Sequence, residues 1–344
     1  MIHCTRFAPL AFALCPLADS PGESLRFAPA QGSSLTLSFQ VERRLVGGEL
    51  EVVMGGVEVP LEYLPVFDLE VASTYRVVLT DRYQKIELER VTEFARTYDE
   101  VEMRVNELQA MTEASQSDAS TSEADARADA QLSGRTVRFR WDADSKEYER
   151  SYEGERGDED ERALLDGLEA AADLSGFLPV GAVSRGATWE VDAAVLAVLV
   201  NPGGDLGLVW EGELAAEYST VPEEVSFDGT LLCKLSALHD RDGVSLATIT
   251  VEGECTMVQV TLTNLERVPV IDGDATETLT SNYEVEGEFT WNLDAGHLVE
   301  LELEANLEVE SHLVRTPGQP GPEFESRVRL TGTETWSVQV RAGE

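Results

Sequence analysis

At 344 residues the chain is long enough for two domains or one extended β domain, and its 42% hydrophobic content sets it apart from disordered chains. The formal charge is −39, from 65 acidic against 26 basic residues, and the only lysines are Lys85, Lys146 and Lys234. That acidity repels polyanions and leaves no basic patch, which excludes nucleic acid and anionic membrane surfaces as partners. The arginine bias, with abundant alanine, reads as the codon composition of a GC-rich genome, and the acidic surface as a solubilising one.

Residues 1–18 read as a signal peptide: Arg6, an apolar run from Phe7 to Ala18, and small residues before Asp19. Pro9 and Pro16 interrupt the run. Cys15, after Phe-Ala-Leu, resembles a lipoprotein cleavage box, although Leu14 is large for the position before the cysteine. An extracytoplasmic location, periplasmic or secreted, is therefore expected, with a lipoprotein anchored through Cys15 as the alternative. No later segment reaches the ~20 apolar residues that span a bilayer.

Residues 22–175 are expected to form an N-terminal antiparallel β domain. Leu35, Leu37, Phe39 and Val41 alternate with polar residues, as do Tyr75, Val77 and Leu79, and Val137, Phe139 and Trp141. A period of two marks strands with one buried face. The turn Asp142–Ser145 then leads to Tyr148 and Tyr152. Residues 86–108 fit both periods; the alternation of Val101, Met103 and Val105 favours strands, with a helix as the alternative. Residues 111–134 hold almost nothing apolar and read as a mobile acidic insertion. A helix is expected over 159–174, from Asp158 and Glu161 as a capping pair, a stripe of Leu164, Leu165, Leu168 and Ala172, and Ser175-Gly176 as its stop. Residues 176–204 form a connector with a short helix from Asp192 to Asn201-Pro202. Residues 205–344 form a C-terminal antiparallel β domain.

Within that domain, Phe227 to Ala237 and Ala247 to Met257 alternate about a turn at His239–Gly243. That hairpin places Cys233 opposite Ile249 and Cys255 opposite Phe227, some 20 Å apart at 3.4 Å per residue. A disulfide needs Cα atoms within about 7 Å, so two buried free thiols are expected. In the hairpin 283–313, odd-numbered Tyr283, Val285, Phe289, Trp291 and Leu293 share a face with Val299 to Val309. A three-residue connection, Ala295–His297, would set Trp291 against Leu301, Phe289 against Leu303 and Gly287 against Ala305. Eight glutamates occupy the other face. Glu288 would then oppose Glu304 and Glu284 oppose Glu308, so that face must be solvated or bridged by cations.

The segment FLPVGAVSRGATWEVD (177–192), preceded by an acidic helix, and the strand pair in TYRVVLTDRYQKIEL (74–88) resemble exported β-rich bacterial envelope proteins with no assigned activity. The resemblance covers about the middle third of the chain and implies export and a β-rich fold.

Motifs for chemistry are lacking. His239, His297 and His312 form no zinc pattern and read as surface residues. Val183-Ser184-Arg185-Gly186 is not a nucleophile elbow. There is no phosphate-binding glycine loop. Asp142-Ala-Asp144 and Asp272-Gly-Asp274 resemble fragments of calcium loops but read as ordinary turns. The expected fold is mainly β (α+β), with large twisted antiparallel sheets packed on one or two helices. No catalytic, cofactor or metal residue is assigned. The expected function is a non-enzymatic exported protein that binds an apolar small molecule or a cell-envelope partner. A calcium-dependent acidic scaffold and a hydrolase with scattered carboxylates are the alternatives.

Overall fold

The computed structural model describes residues 22–64, 66–88, 90–112, 120–154, 159–219, 224–264, 274–315 and 323–343. The expected signal peptide with Cys15, and Asp272, lie outside them. In chain order the first strands are β1 (Glu23–Ser24), β2 (Ser34–Met54), β3 (Val57–Glu58), β4 (Val66–Glu87), β5 (Arg90–Thr112), β6 (Ser120–Ala130), β7 (Thr136–Asp142) and β8 (Glu147–Tyr152). A connector follows with α1 (Glu159–Asp166), β9 (Ala182–Val183), β10 (Thr188–Asp192), α2 (Ala197–Val200), β11 (Leu208–Gly212) and α3 (Ala215–Tyr218). The chain then returns through β12 (Glu224–Arg241), β13 (Val244–Asn264), β14 (Asp274–Asn292), β15 (His297–Arg315) and β16 (Phe324–Ala342).

Fourteen of these strands form one antiparallel sheet whose main order is β10-β12-β13-β14-β15-β16-β2-β4-β5-β6-β11. β7 and β8 extend it from β5, and β3 pairs with the end of β2. The mainly β expectation holds. The two strand-rich halves of the sequence share this single sheet, because β16 pairs with β2 from Ala342↔Leu35 to Phe324↔Met54. The expected boundary at 176–204 divides the chain but not the sheet. Of the ambiguous residues 86–108, 86–87 end β4 and 90–108 lie in β5, with Leu88 in a turn.

Strands of 18 to 23 residues dominate, β5 being the longest at 23. At ~3.4 Å per residue such a strand runs on the order of 70 Å, several times the usual length. One end of the sheet carries the tight turns Asp242-Gly243 and Leu293–Gly296. The other end, at Met54, Val66, Glu224 and Phe324, is termed the rim.

The period of two works as expected. One cross-strand row on the inner face reads Leu235, Ile249, Phe289, Leu301, Val338, Phe39, Val77 and Val101, all at most 2% exposed. Eight branched and aromatic side chains in register give the continuous apolar band that folding removes from water. Glycines let this band bend: a Cβ on Gly287, at φ +152°, would lie 2.2 Å from the Glu302 carbonyl.

Four expectations are corrected. Residues 120–130 of the expected mobile insertion 111–134 are strand β6, with Ala126, Ala128 and Ala130 buried, and 131–134 form a turn; 113–119 lie outside the described residues. The helix expected over 159–174 stops at Asp166, because Leu168 pairs as an isolated bridge with Gly204 and leaves no helical path. In the β12–β13 hairpin the turn is the two residues Asp242-Gly243, both at positive φ, and Ser236 forms a bulge. Cys233 consequently faces Val251 and Cys255 faces Gly229. Similarly, the β14–β15 turn holds four residues and Val299 is bulged out, so Trp291 faces Leu298, Phe289 faces Leu301 and Gly287 faces Leu303. The expected inner faces hold except at the bulges, where Ala237 and Val299 leave them; Cys233, Cys255, Phe289 and Gly287 pair two residues from the expected partner and Trp291 three. The short connector helix is as expected: the Asp192 side chain accepts from Ala194 N at 2.9 Å and caps the turn Ala193–Leu196 that runs into α2.

Candidate functional site

The sheet is curled around its own connector. Leu165, Leu168, Ala172, Leu174, Phe177, Ala193, Leu196, Leu199 and Leu206 are all buried in one core cluster with the inner-face band. Phe177 meets Phe289 of β14 edge-on, with centroids 5.9 Å apart. On the far side of the curl, Arg96 of β5 donates from Nη1 to the Glu169 carbonyl at 2.7 Å and from Nη2 to that of Ala170 at 3.0 Å. β14 and β5 are separated by β15, β16, β2 and β4, so a connector that touches both must lie inside the curve.

Arg96 is the main polar feature of this half. Its Nε and Nη2 grip Asp81 at 2.7 and 2.8 Å, and its guanidinium carbon lies 5.4 Å from the ring centres of both Phe94 and Phe139. The arginine side chain is 1% exposed and that of Asp81 5%. In a buried fork-to-fork pair of this kind each partner supplies hydrogen bonds that replace the other's lost hydration. Beside it, burial pushes Tyr98 up to about 12, opposed by the nearby Arg96. Trp189 ties β10 to the connector through Nε1 and the Phe177 carbonyl at 2.9 Å.

The turn end is covered as well. Ala28 N donates to the Gly296 carbonyl and Gly32 N to that of Tyr83, each at 2.8 Å, so residues 22–33 cross that end of the sheet with Leu25 buried beneath them.

Toward the rim the inner face changes character. A polar network marks the transition: Arg43 Nε donates to Glu334 Oε2 at 2.6 Å and Nη2 to the Tyr283 hydroxyl at 3.1 Å, with Glu334 1% exposed. Tyr218 of α3 donates to Glu107 at 2.5 Å. Farther out, Leu69, Val71, Leu279, Leu313, Phe324 and Val328 take inner positions but are only half-buried. Glu277, also inner, accepts from the Ser311 hydroxyl at 2.7 Å. The curled sheet is thus filled by its own chain at one end and lined at the other by half-buried, mixed side chains, with buried Ala275 and Arg315 at the last pair of β14 and β15 and Leu313 and Phe324 packed against Ala275.

No residue was singled out from sequence as catalytic or metal-binding, and the groups that were considered lie apart. Cys233 and Cys255 are both free and buried, as expected, and burial raises their thiols to about 12 and about 11. Asp142 accepts from Asp144 N at 2.9 Å and the Ser145 hydroxyl at 3.0 Å; these bonds hold its carboxyl low and make an ordinary turn. His239 is exposed on β12. His312 contacts Glu325 at 2.9 Å. His297 departs from the surface expectation: it is 8% exposed, with Nδ1 2.6 Å from the Leu298 carbonyl. Ser184 has neither base nor acid beside it in the hydrogen bonds of the described residues, and these residues include no group of three or more metal ligands. The glutamates do form an outer ladder, in which Glu286 lies between Glu252 and Glu304 while Glu288 faces Glu302. Glu284 faces Glu254 and Asn306, not Glu308.

The networks at Arg96 and Arg43 escaped the sequence reading. Their signal was present: Asp81 and Arg96 fall at inward parity between apolar residues, as do Arg43 and Glu334.

No protein-family model matches the chain, and no curated protein does. Among solved structures, Pseudomonas aeruginosa OccK7 (OpdD) aligns with 90% of this chain and 99% of its own, at 8% identity and a TM-score of 0.19. The P. putida toluene transporter TodX aligns over 90% of each chain at 8% identity and a TM-score of 0.11. Scores this low carry no argument about function. Among the described residues no helix is long and apolar enough to cross a membrane.

Proposed function

We propose that this chain is an exported, non-enzymatic cell-envelope protein that holds an apolar molecule against the rim half of its curled sheet. The observation that carries the reading is the contrast along single strands. On β15, Leu301, Leu303 and Leu307 are sealed at 1–3% exposure, whereas Leu313, on the same face toward the rim, is half-buried. β16 repeats the pattern with Val338 and Val328. Apolar area left partly in water on a concave face is where a ligand gains most from burial. Export is supported by the apolar N-terminal run and by the resemblance to β-rich envelope proteins.

Native mass spectrometry of the protein purified from its own host tests this directly. A co-purifying apolar species, lost from a Leu313→Glu variant that keeps the wild-type melting temperature, is the expected result. A bare polypeptide mass from wild-type protein prepared without detergent overturns the reading.

A further inference from the structure

A second surface stands at the rim, at the turn between β2 and β4, where Val57 lies beside Met54. Val57, Leu61, Tyr63 and Val66 are exposed by 69, 76, 72 and 66%, although they lie within ten residues of one another. Scattered exposed apolar residues are ordinary on any protein; four so close together are not. They are held by ordered backbone. β3 folds back so that Val57 pairs with Met54 and Glu58 with Val53, and Val59 N donates to the Val52 carbonyl at 2.8 Å. The following turn closes with Tyr63 N on the Pro60 carbonyl at 2.9 Å and Leu64 N on that of Leu61 at 3.1 Å. Pro60, with φ fixed near −58°, stiffens the entry to that turn. The side chains are displayed on a frame that needs little ordering when something binds.

Beside this lip opens a pocket of about 390 Å³ lined by Glu51, Val53, Glu58, Glu325, Ser326 and Arg327. Its one cation is already engaged, since Arg327 Nη2 lies 2.9 Å from Glu325. Glu51 lies 3.7 Å from Arg329, which also contacts Glu310 at 3.0 Å, and among the described residues Glu58 has no ion-pair partner. The surface therefore pairs an apolar lip with an acidic pocket in which carboxylates outnumber cations.

We infer that this lip and pocket form a docking surface for a partner polypeptide that presents a basic side chain beside aliphatic or aromatic ones. The basic group enters among Glu51, Glu58 and Glu325, and the apolar groups cover Leu61 and Tyr63. Charge selects this occupant over the others. A second copy of the chain brings another −39 and is repelled, and anionic lipid is repelled by the same carboxylates. Aromatic contacts at the centre and charges at the margin are the usual division of labour in such interfaces. The docking surface is independent of the inner-face ligand.

The test uses the full chain and a fluorescein-labelled peptide of alternating lysine with leucine and tyrosine, followed by anisotropy at physiological salt. Saturable binding is expected. It should weaken about tenfold or more in Leu61→Ser/Tyr63→Ser and similarly in Glu51→Gln/Glu58→Gln. Glu286→Gln/Glu304→Gln, on the distant outer ladder, should leave it within about twofold, which separates the pocket from general attraction to an acidic protein. All four residues of the first two variants lie at the surface or on a turn, and unchanged melting curves confirm folding. The inference is overturned if the peptide does not bind, if the ladder variant weakens binding as much as the pocket variant, or if a lysine-serine peptide binds equally well. It is also overturned if phosphatidylcholine vesicles compete the peptide off, since the lip would then serve a lipid surface.

Discussion

Replacing Arg96 by alanine tests the claim that the connector is clamped inside the sheet. The substitution removes two bonds to Asp81, at 2.7 and 2.8 Å, and two to the carbonyls of Glu169 and Ala170. Losing one partner of a buried ion pair strands the other charge, at a cost of about 3–5 kcal/mol. Two carbonyls left without donors add about 1–3 kcal/mol each where water cannot reach them. Even the low end of that sum, about 5 kcal/mol, set against a denaturant slope of about 3 kcal/mol/M, lowers the urea midpoint by roughly 1.7 M. A second variant separates the two contributions. Arg96→Met with Asp81→Leu removes both charges, which is often nearly neutral, but still leaves the two carbonyls bare. It should recover most of the ion-pair loss and remain about 2 kcal/mol below wild type. Equilibrium urea unfolding followed by tryptophan fluorescence reads both, because Trp189 reports on the connector through its bond to Phe177. A single variant within about 1 kcal/mol of wild type would refute the clamp. A double variant as unstable as the single one would refute the assignment of the loss to the stranded carboxylate.

Three further outcomes are expected. Cys233 and Cys255, their thiols raised to about 12 and about 11 by burial, should resist iodoacetamide in the native protein at about pH 8 and react fully in denaturant; a disulfide-linked peptide pair would contradict the fold at β12–β13. Burial raises the Asp173 carboxyl above its unfolded value, so ionising it costs folded-state stability at neutral pH, and that cost is absent below the ordinary carboxylate range. Asp173→Asn keeps an acceptor for Ser175 N and should raise Tm at about pH 7 with no gain at about pH 3; an equal gain at both pH values would show that charge is not the cause. Glu286→Gln relieves repulsion from Glu252 and Glu304 across the ladder, so it should raise Tm at low salt and lose that advantage in about 1 M NaCl, where charges are screened within ~3 Å.

What could be read from the sequence depended on contrast between the two faces of a strand. β14 and β15 set leucine, valine and aromatics against glutamate, and their faces were plain. β6 has the same alternation, Ala124, Ala126, Ala128 and Ala130 against Glu123, Asp125, Arg127 and Asp129, but a methyl group gives little hydrophobic signal, and the segment read as a mobile insertion. Register was lost at Ser236 and Val299, because a bulge is a backbone event that hydropathy does not record. The stripe of Leu164, Leu165, Leu168 and Ala172 reads as a helix, yet an extended chain can bury Leu168 and Ala172 equally well once Gly204 lets the backbones meet. The half-buried rim face was out of reach, since it depends on how far the connector reaches along strands that are themselves uniformly patterned. Rim residues such as Leu313 and sealed ones such as Leu303 look alike in sequence.

The pairing of β16 with β2 constrains how the molecule can acquire its shape. Partners such as Leu35 and Ala342 are about as far apart in sequence as this chain allows, yet their strands are neighbours near the middle of the sheet. During synthesis, β2 has only β4 at its side until the last strand emerges, and the meander from β12 to β15 likewise ends in a bare edge. Each half waits with one long unpaired flank whose inner positions are strongly apolar. Bringing such distant segments together carries a large loop-closure entropy before any ladder bond forms, so the closing step should be slow and late. In that interval the two bare edges are where one chain can pair with another, which makes dilution or a holding chaperone the condition most able to raise the yield of refolded protein.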